Sequence, residues 1–183
     1  MLYNDDSSLE LVASMLLENK VGVIPADTIY GFSARANEIT AGRIYEIKER
    51  PRNKSFIMLC GKDWLRQSRF IVPEELYDLW PCPLSVIVAD REGHTQAVRV
   101  PQDKYILSLV RLTGPLWSTS CNISSMPSLT SYDEITAAFA GKADFFVRKR
   151  KESTNALPST LIDCTSRPFR IIRQGAFDCS CLI

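Results

Sequence analysis

Lys48-Glu49-Arg50-Pro51-Arg52-Asn53-Lys54 carries a cation at every second position, a spacing that suits anion chemistry. Pro51 excludes Arg50 from the helical region, so a helix ending near Glu49 passes into extended chain. In extended chain, Arg50, Arg52 and Lys54 project to one side, with Lys48 just behind them in the last helical turn. Such a row fits a polyphosphate, for which Arg supplies a planar fork and Lys a point charge. The same letters fit a solvated helix end, where Lys48 and Arg50 face the negative pole of the dipole and Arg52 and Lys54 lie in water.

A second constellation lies in Leu116-Trp117-Ser118-Thr119-Ser120-Cys121-Asn122-Ile123-Ser124. Read as a strand over 116–123, it places Ser118, Ser120, Asn122 and Ser124 on one face, an uncharged ladder able to donate to phosphate or ribose oxygens. A turn rich in Ser and Asn explains the same letters. Arg99 and Arg173 each sit in or at the end of an apolar run, where a cation must face a carboxylate or a ligand. Ser159-Thr160 opens another apolar run and serves either as a cap or as a ligand contact.

Other chemistries find little support. Gly-x-x-x-x-Gly-Lys-Ser/Thr, Gly-x-Gly-x-x-Gly and Gly-x-Ser-x-Gly are all absent, so a nucleotide bound here is not held by a glycine-rich loop. A Ser-His-Asp triad or a His-rich zinc site would depend on His94 alone, in a polar stretch that reads as a solvated loop.

The elements that must position these groups alternate along the chain. Ser7 and Glu10 form a capping box ahead of an amphipathic helix running to Asn19 or Lys20. A strand over 21–25 ends at Pro25 and leads into a polar turn holding Asp27, Thr28, Tyr30 and Gly31, the end of a strand where α/β proteins bind ligands. Thr40 caps the second helix, which carries Ile44 and Ile47. Strands at 55–60, 84–89, 97–100, 116–123, 144–148, 160–164 and 169–173 interleave with helices at 63–68, 74–80, 103–112 and one begun by the Ser131/Glu134 capping box. Residues 148–158 read as a solvated loop, and 178–183 as an untethered tail. The pattern predicts an α/β fold, a twisted mixed sheet flanked by helices.

With 183 residues, the chain fits a single domain over 1–183. Twenty-two Lys and Arg against twenty-one Asp and Glu leave a net charge of +1, too balanced for a surface that coats nucleic acid, so any anion site is local. No signal peptide or membrane span is visible, and six cysteines without a CxxC read as reduced thiols, which together predict a cytoplasmic protein.

Taken in order, Pro25-Ala26-Asp27-Thr28-Ile29-Tyr30-Gly31-Phe32, Ile44 to Pro51, Trp80-Pro81-Cys82-Pro83-Leu84-Ser85, Val98-Arg99-Val100-Pro101, Thr119-Ser120-Cys121-Asn122 and Pro158-Ser159-Thr160 resemble the YrdC/TsaC family, the threonylcarbamoyl-AMP synthases. The resemblance spans about residues 9–177, and its most specific parts are Lys48-x-Arg50 and Ser120-x-Asn122. It implies an α/β; YrdC-like twisted mixed sheet flanked by helices, with an open cationic cavity. It also implies a nucleotidyltransferase that makes threonylcarbamoyl-AMP and pyrophosphate from L-threonine, bicarbonate and ATP for t6A modification of tRNA, with downstream t6A-modification proteins as partners. The segment Arg173-Gln174-Gly175 resembles the family's terminal Arg-Pro-Gly, which points to the short form without the extra C-terminal domain.

By resemblance, Lys48 and Arg50 are the catalytic pair, and Thr28, Tyr30, Lys48, Arg50, Ser159 and Thr160 hold threonine and bicarbonate. Arg50, Lys54, Arg99, Ser120, Asn122 and Arg173 hold the nucleotide, and Mg²⁺ arrives with ATP, because a metal held by phosphates needs few protein carboxylates. Ala26, Cys82, Ser125 and the cationic run Arg148 to Lys151 depart from the family pattern; Ser125 replaces a Gly, and the last two bear on the backbone over the nucleotide. Two other functions fit the same family fold: an RNA-binding module without turnover, and a carbamoyl-transfer domain that uses carbamoyl phosphate. The near-zero net charge weighs against the first, and the absence of neighbouring acylphosphatase-like and zinc-finger segments weighs against the second.

Overall fold

Short, mostly apolar strands build the sheet, and the computed structural model describes residues 2–4, 8–148 and 157–182 of the chain. The described chain runs β1 (Leu2–Asn4), α1 (Leu9–Leu17), β2 (Gly22–Ile24), β3 (Gly31–Arg35), α2 (Glu38–Lys48), β4 (Ile57–Leu59), α3 (Lys62–Gln67), β5 (Phe70–Ile71) and α4 (Glu74–Leu79). It continues with β6 (Leu84–Asp90), β7 (Thr95–Arg99), α5 (Lys104–Thr113), β8 (Leu116–Ser120), α6 (Tyr132–Phe139), β9 (Phe145–Arg148), β10 (Thr160–Asp163), β11 (Arg170–Arg173) and a 3₁₀ turn, Ser180–Leu182. The strands form one mixed sheet in the order β1-β9-β2-β3-β8-β4-β7-β6-β10-β11, with β5 also paired to β6.

Strand alternation explains how helices cover both faces. Val23 and Phe146 join a cluster with Ile44 and Ile47 of α2 and Ile135 and Phe139 of α6. Their chain neighbours Ile24 and Phe145 join another with Val12 and Leu16 of α1 and Ile106 and Leu109 of α5. Adjacent residues of one strand point to opposite faces, so these two helix pairs lie on opposite sides of the sheet. A third cluster packs Leu65, Leu76 and Trp80 against Val86, Val98 and Ile162.

Several elements differ from the expectation. The second helix starts two residues before Thr40: Asn37 is its cap, its side chain accepting the Thr40 N–H at 3.0 Å, while the Thr40 hydroxyl donates to the Arg35 carbonyl. Ser131 precedes α6 as expected but makes no side-chain cap bond. The first helix stops at Leu17, with Asn19 at φ 60°, and Ser7 of the expected capping box lies outside the described residues. Strand β3 was not legible because Gly31-Phe32-Ser33-Ala34 is buried throughout, as in a strand covered on both faces, and so shows no alternation. The tail is not free: Cys179 is buried in the third cluster, and the short 3₁₀ turn follows it. Of the expected loop over 148–158, residues 149–156 lie outside the described set.

Candidate functional site

A row of paired residues crosses four neighbouring strands: Ser118 lies opposite Ile57, Ile57 opposite Ala97, and Ala97 opposite Ile87. Because directly paired residues point to the same face, the four side chains make a continuous floor, polar at the Ser118 end and apolar at the other. Over it lies a cavity of about 240 Å³. Its walls are the segment after β2, the exit from α2, the end of β7, the end of β8, and the adjoining ends of β10 and β11.

Seven of the eleven sequence-predicted site residues line this cavity: Thr28, Tyr30, Arg50, Arg99, Ser120, Ser159 and Arg173. Antiparallel pairing brings three segments to one place, since Ile24 pairs with Gly31 and Gly31 with Ser120, setting Tyr30 beside the Ser120 end of β8. Arg99 meets both conditions set by its apolar run: it pairs with Asp27, which was not anticipated as its partner, and it lines the cavity. Its Nη1 also donates to the Thr28 hydroxyl at 3.3 Å, and its buried Nε has no hydrogen-bond partner.

Lys48 does not reach the cavity wall. The helix carrying it ends in a Schellman closure, with the Arg50 N–H on the Tyr45 carbonyl, the Glu49 N–H on the Glu46 carbonyl, and Glu49 left-handed at φ 49°. Lys48 is fully buried, and its ammonium donates to the Ser120 carbonyl, to the Asn122 carbonyl at 2.8 Å and to Asn122 Oδ1 at 2.9 Å. Three acceptors match its three protons, so Lys48 knits α2 to the turn after β8. Burial drops its pKa to about 8.

Arg50, Arg52 and Lys54 do not form the expected row, because residues 51–54 turn, with the Lys54 N–H on the Pro51 carbonyl. Arg50 folds over this turn, donating to the Lys54 and Ser55 carbonyls at 3.1 and 2.9 Å. The Lys54 side chain is exposed and off the cavity wall. The polar ladder likewise stops at Ser120, where β8 ends. Asn122 is recovered by the turn that follows: the Ser120 hydroxyl donates to its Oδ1 at 2.6 Å, and its amide donates to the Met126 carbonyl. Ser125 takes φ 71°, so the backbone adopts there the left-handed conformation for which the family pattern supplies Gly.

Ser159 is held by a buried hydroxyl pair with Ser85 at 2.9 Å, a residue of the family-like segment Trp80 to Ser85 to which sequence reasoning gave no site role. Arg173 donates through Nη2 to the Ser159 carbonyl at 2.8 Å. Thr160 is buried behind the wall. Burial lowers the pKa of Arg50, Arg99 and Arg173, the last with no other cause. Among the described residues, neither Arg50 nor Arg173 has a carboxylate in ion-pair range. Half-buried Arg50 and exposed Arg173 thus both line the cavity with charge free for an anion, and among the described residues the lining offers hydroxyls but no carboxylate.

Comparison with known proteins identifies the family. The family model Sua5_yciO_yrdC, described as telomere recombination, matches residues 14–175. The threonylcarbamoyl-AMP synthase of Pyrococcus abyssi is 30% identical over 93% of this chain, which spans 55% of that protein. A relative from Methanocaldococcus jannaschii is 31% identical over 91% of the chain, covering 85% of its own length. The crystal structure of P. abyssi Sua5 complexed with L-threonine superposes with a TM-score of 0.86 at 29% identity, over 96% of this chain and 57% of the other. With a family model matched over most of its length and these relatives across the same residues, the chain belongs to the Sua5/YciO/YrdC family.

Proposed function

We propose that this chain is an L-threonylcarbamoyladenylate synthase, a nucleotidyltransferase acting on L-threonine, bicarbonate and ATP. The observation that carries the reading is the single cavity where Arg50, Arg99 and Arg173 meet the hydroxyls of Thr28, Tyr30 and Ser120. The activity named for the P. abyssi relative and the L-threonine in the P. abyssi structure support it.

The chemistry asks for no protein nucleophile. Threonine's amine and bicarbonate condense to a carbamate with loss of water; a carbamate oxygen then attacks the α-phosphorus of ATP, and pyrophosphate leaves with the bond's electron pair. The doubly anionic carbamate and the ATP polyphosphate must be held in line, so rate comes from positioning and fixed positive charge. Thr28 and Tyr30 hold threonine. Arg50 neutralises its carboxylate or the carbamate, and Arg99, Arg173 and Ser120 hold the nucleotide, with Ser159 at the wall. Lys48 and Asn122 act from behind by fixing the backbone after Ser120, and Lys54 acts through its backbone carbonyl, which anchors Arg50. Among the described residues the lining has no carboxylate, so a Mg²⁺ ion, if required, would be held chiefly by the phosphates of ATP and would help neutralise their charge, leaving Arg50, Arg99 and Arg173 to orient the nucleotide. The product is the activated donor for t6A formation on tRNA, which further proteins complete.

Pyrophosphate release from ATP tests the reading: release that requires both threonine and bicarbonate supports it. RNA binding with no release under any combination would favour a binding module instead.

A further inference from the structure

Thr160 opens β10, and its hydroxyl makes every hydrogen bond that a hydroxyl can make. It donates to the Phe177 carbonyl at 2.7 Å and accepts the Gly175 N–H at 2.9 Å and the Phe177 N–H at 3.1 Å. One donor and two lone pairs are thereby used, and the side chain is fully buried, so nothing remains for a ligand. All three bonds go to the strap that follows Arg173. The strap is also sewn to the start of β10 from the other side, by the Ala176 N–H on the Pro158 carbonyl at 2.9 Å. At Gly175 the two backbones come so close that a Cβ would lie 2.2 Å from the Pro158 oxygen. Beyond it, Phe177 and Cys179 pack into the core.

Arg173 is the last residue before this strap, and among the described residues its guanidinium has no carboxylate to hold it, only the Ser159 carbonyl and, at 3.4 Å, the Ser159 hydroxyl. Its place at the cavity is therefore set by where the strap leaves β11. We infer that Thr160 is a positioning residue: through one saturated hydroxyl it fixes the strap, and thereby holds the Arg173 guanidinium where it meets a polyphosphate. The inference rests on the proposed function only in taking the polyphosphate to be that of ATP.

The test is a double-mutant cycle read by calorimetric titration with inorganic tripolyphosphate, which needs no turnover. Thr160→Val keeps the volume and removes the oxygen; it is expected to weaken tripolyphosphate about tenfold, the size expected from loosening one charge-assisted contact. Thr160→Ser restores the oxygen and binds like wild type. In an Arg173→Ala background, Thr160→Val is expected to add no further loss, a non-additivity that general destabilisation would not produce. Amide exchange in Thr160→Val should speed up at Gly175 and Phe177 while β2 and β3 stay protected. If Thr160→Val does not fold, Gly175→Ala displaces the same strap with Thr160 intact and takes its place in the cycle. Unchanged affinity in Thr160→Val, a full tenfold loss persisting without Arg173, or a wild type that does not bind tripolyphosphate would overturn the inference. Wild type that binds tripolyphosphate but never releases pyrophosphate in the three-substrate assay sinks the functional reading alone.

Discussion

Replacing Lys48 with Met isolates what a buried ammonium does to this fold. Burial lowers its pKa from 10.5 to about 8. Below pH 8 both the folded and unfolded chains carry the proton, and the folded state bears the whole cost of burying the charge. At about 1.36 kcal/mol per decade, that cost is about 3 kcal/mol. Between pH 8 and 10.5 the folded chain has lost the proton while the unfolded chain keeps it, so stability from this group rises with pH. Cys121, pushed up to about 12 by its own burial, stays a thiol across this window. Met has nearly the same length and no titration. The unfolding free energy of wild type minus that of Lys48→Met is therefore expected to rise by about 2–3 kcal/mol from pH 7 to 10, measured by urea unfolding at each pH. The three hydrogen bonds lost with the ammonium shift the whole difference at pH 7, but only the charge gives it this slope. A flat or falling difference would refute the buried, desolvated ammonium.

Three other substitutions probe neighbouring parts. Asp27→Asn leaves the Arg99 guanidinium buried without its counter-charge and should cost about 3–5 kcal/mol in urea unfolding, with a smaller cost when Arg99→Gln is also present. Glu49→Gly relieves a left-handed residue at the end of α2 and should stabilise by about 0.5–1 kcal/mol in thermal or urea unfolding. Gly22→Ala puts a methyl group 2.2 Å from the Phe145 ring between β2 and β9, and should destabilise by about 1–3 kcal/mol in the same measurement.

The order of helices and strands was legible wherever apolar periodicity and caps agreed, as in α5, whose buried Ile106, Leu109, Val110 and Thr113 follow helical spacing. It failed at β3, where burial on both faces removes alternation, and at the start of α2, where Thr40 was the expected cap and Asn37, which sequence reasoning missed, takes the Thr40 N–H instead. For the site, residue types foretold that Arg99 must find a carboxylate or a ligand, but only the fold brings Asp27, in the segment between β2 and β3, to it. The alternating cations illustrate the limit of spacing arguments. Pro51 ends the helix as expected, yet the chain turns instead of extending, so Lys48, Arg50 and Lys54 part into a buried anchor, a cavity wall and an exposed side chain. Asn122 was placed correctly beside Ser120 by a turn, although the strand that predicted it stops first.

If the proposed function holds, one cavity gathers threonine, bicarbonate and ATP so that a carbamate oxygen meets the α-phosphorus. Supplying ¹³C-bicarbonate with ATP and threonine and following the nucleotide product by mass spectrometry and ¹³C NMR tests this most directly. The account predicts an AMP derivative that carries one labelled carbamoyl carbon and one threonine, formed in step with pyrophosphate. AMP or ADP produced without the labelled carbon, or ATP left intact with all three substrates present, would contradict it.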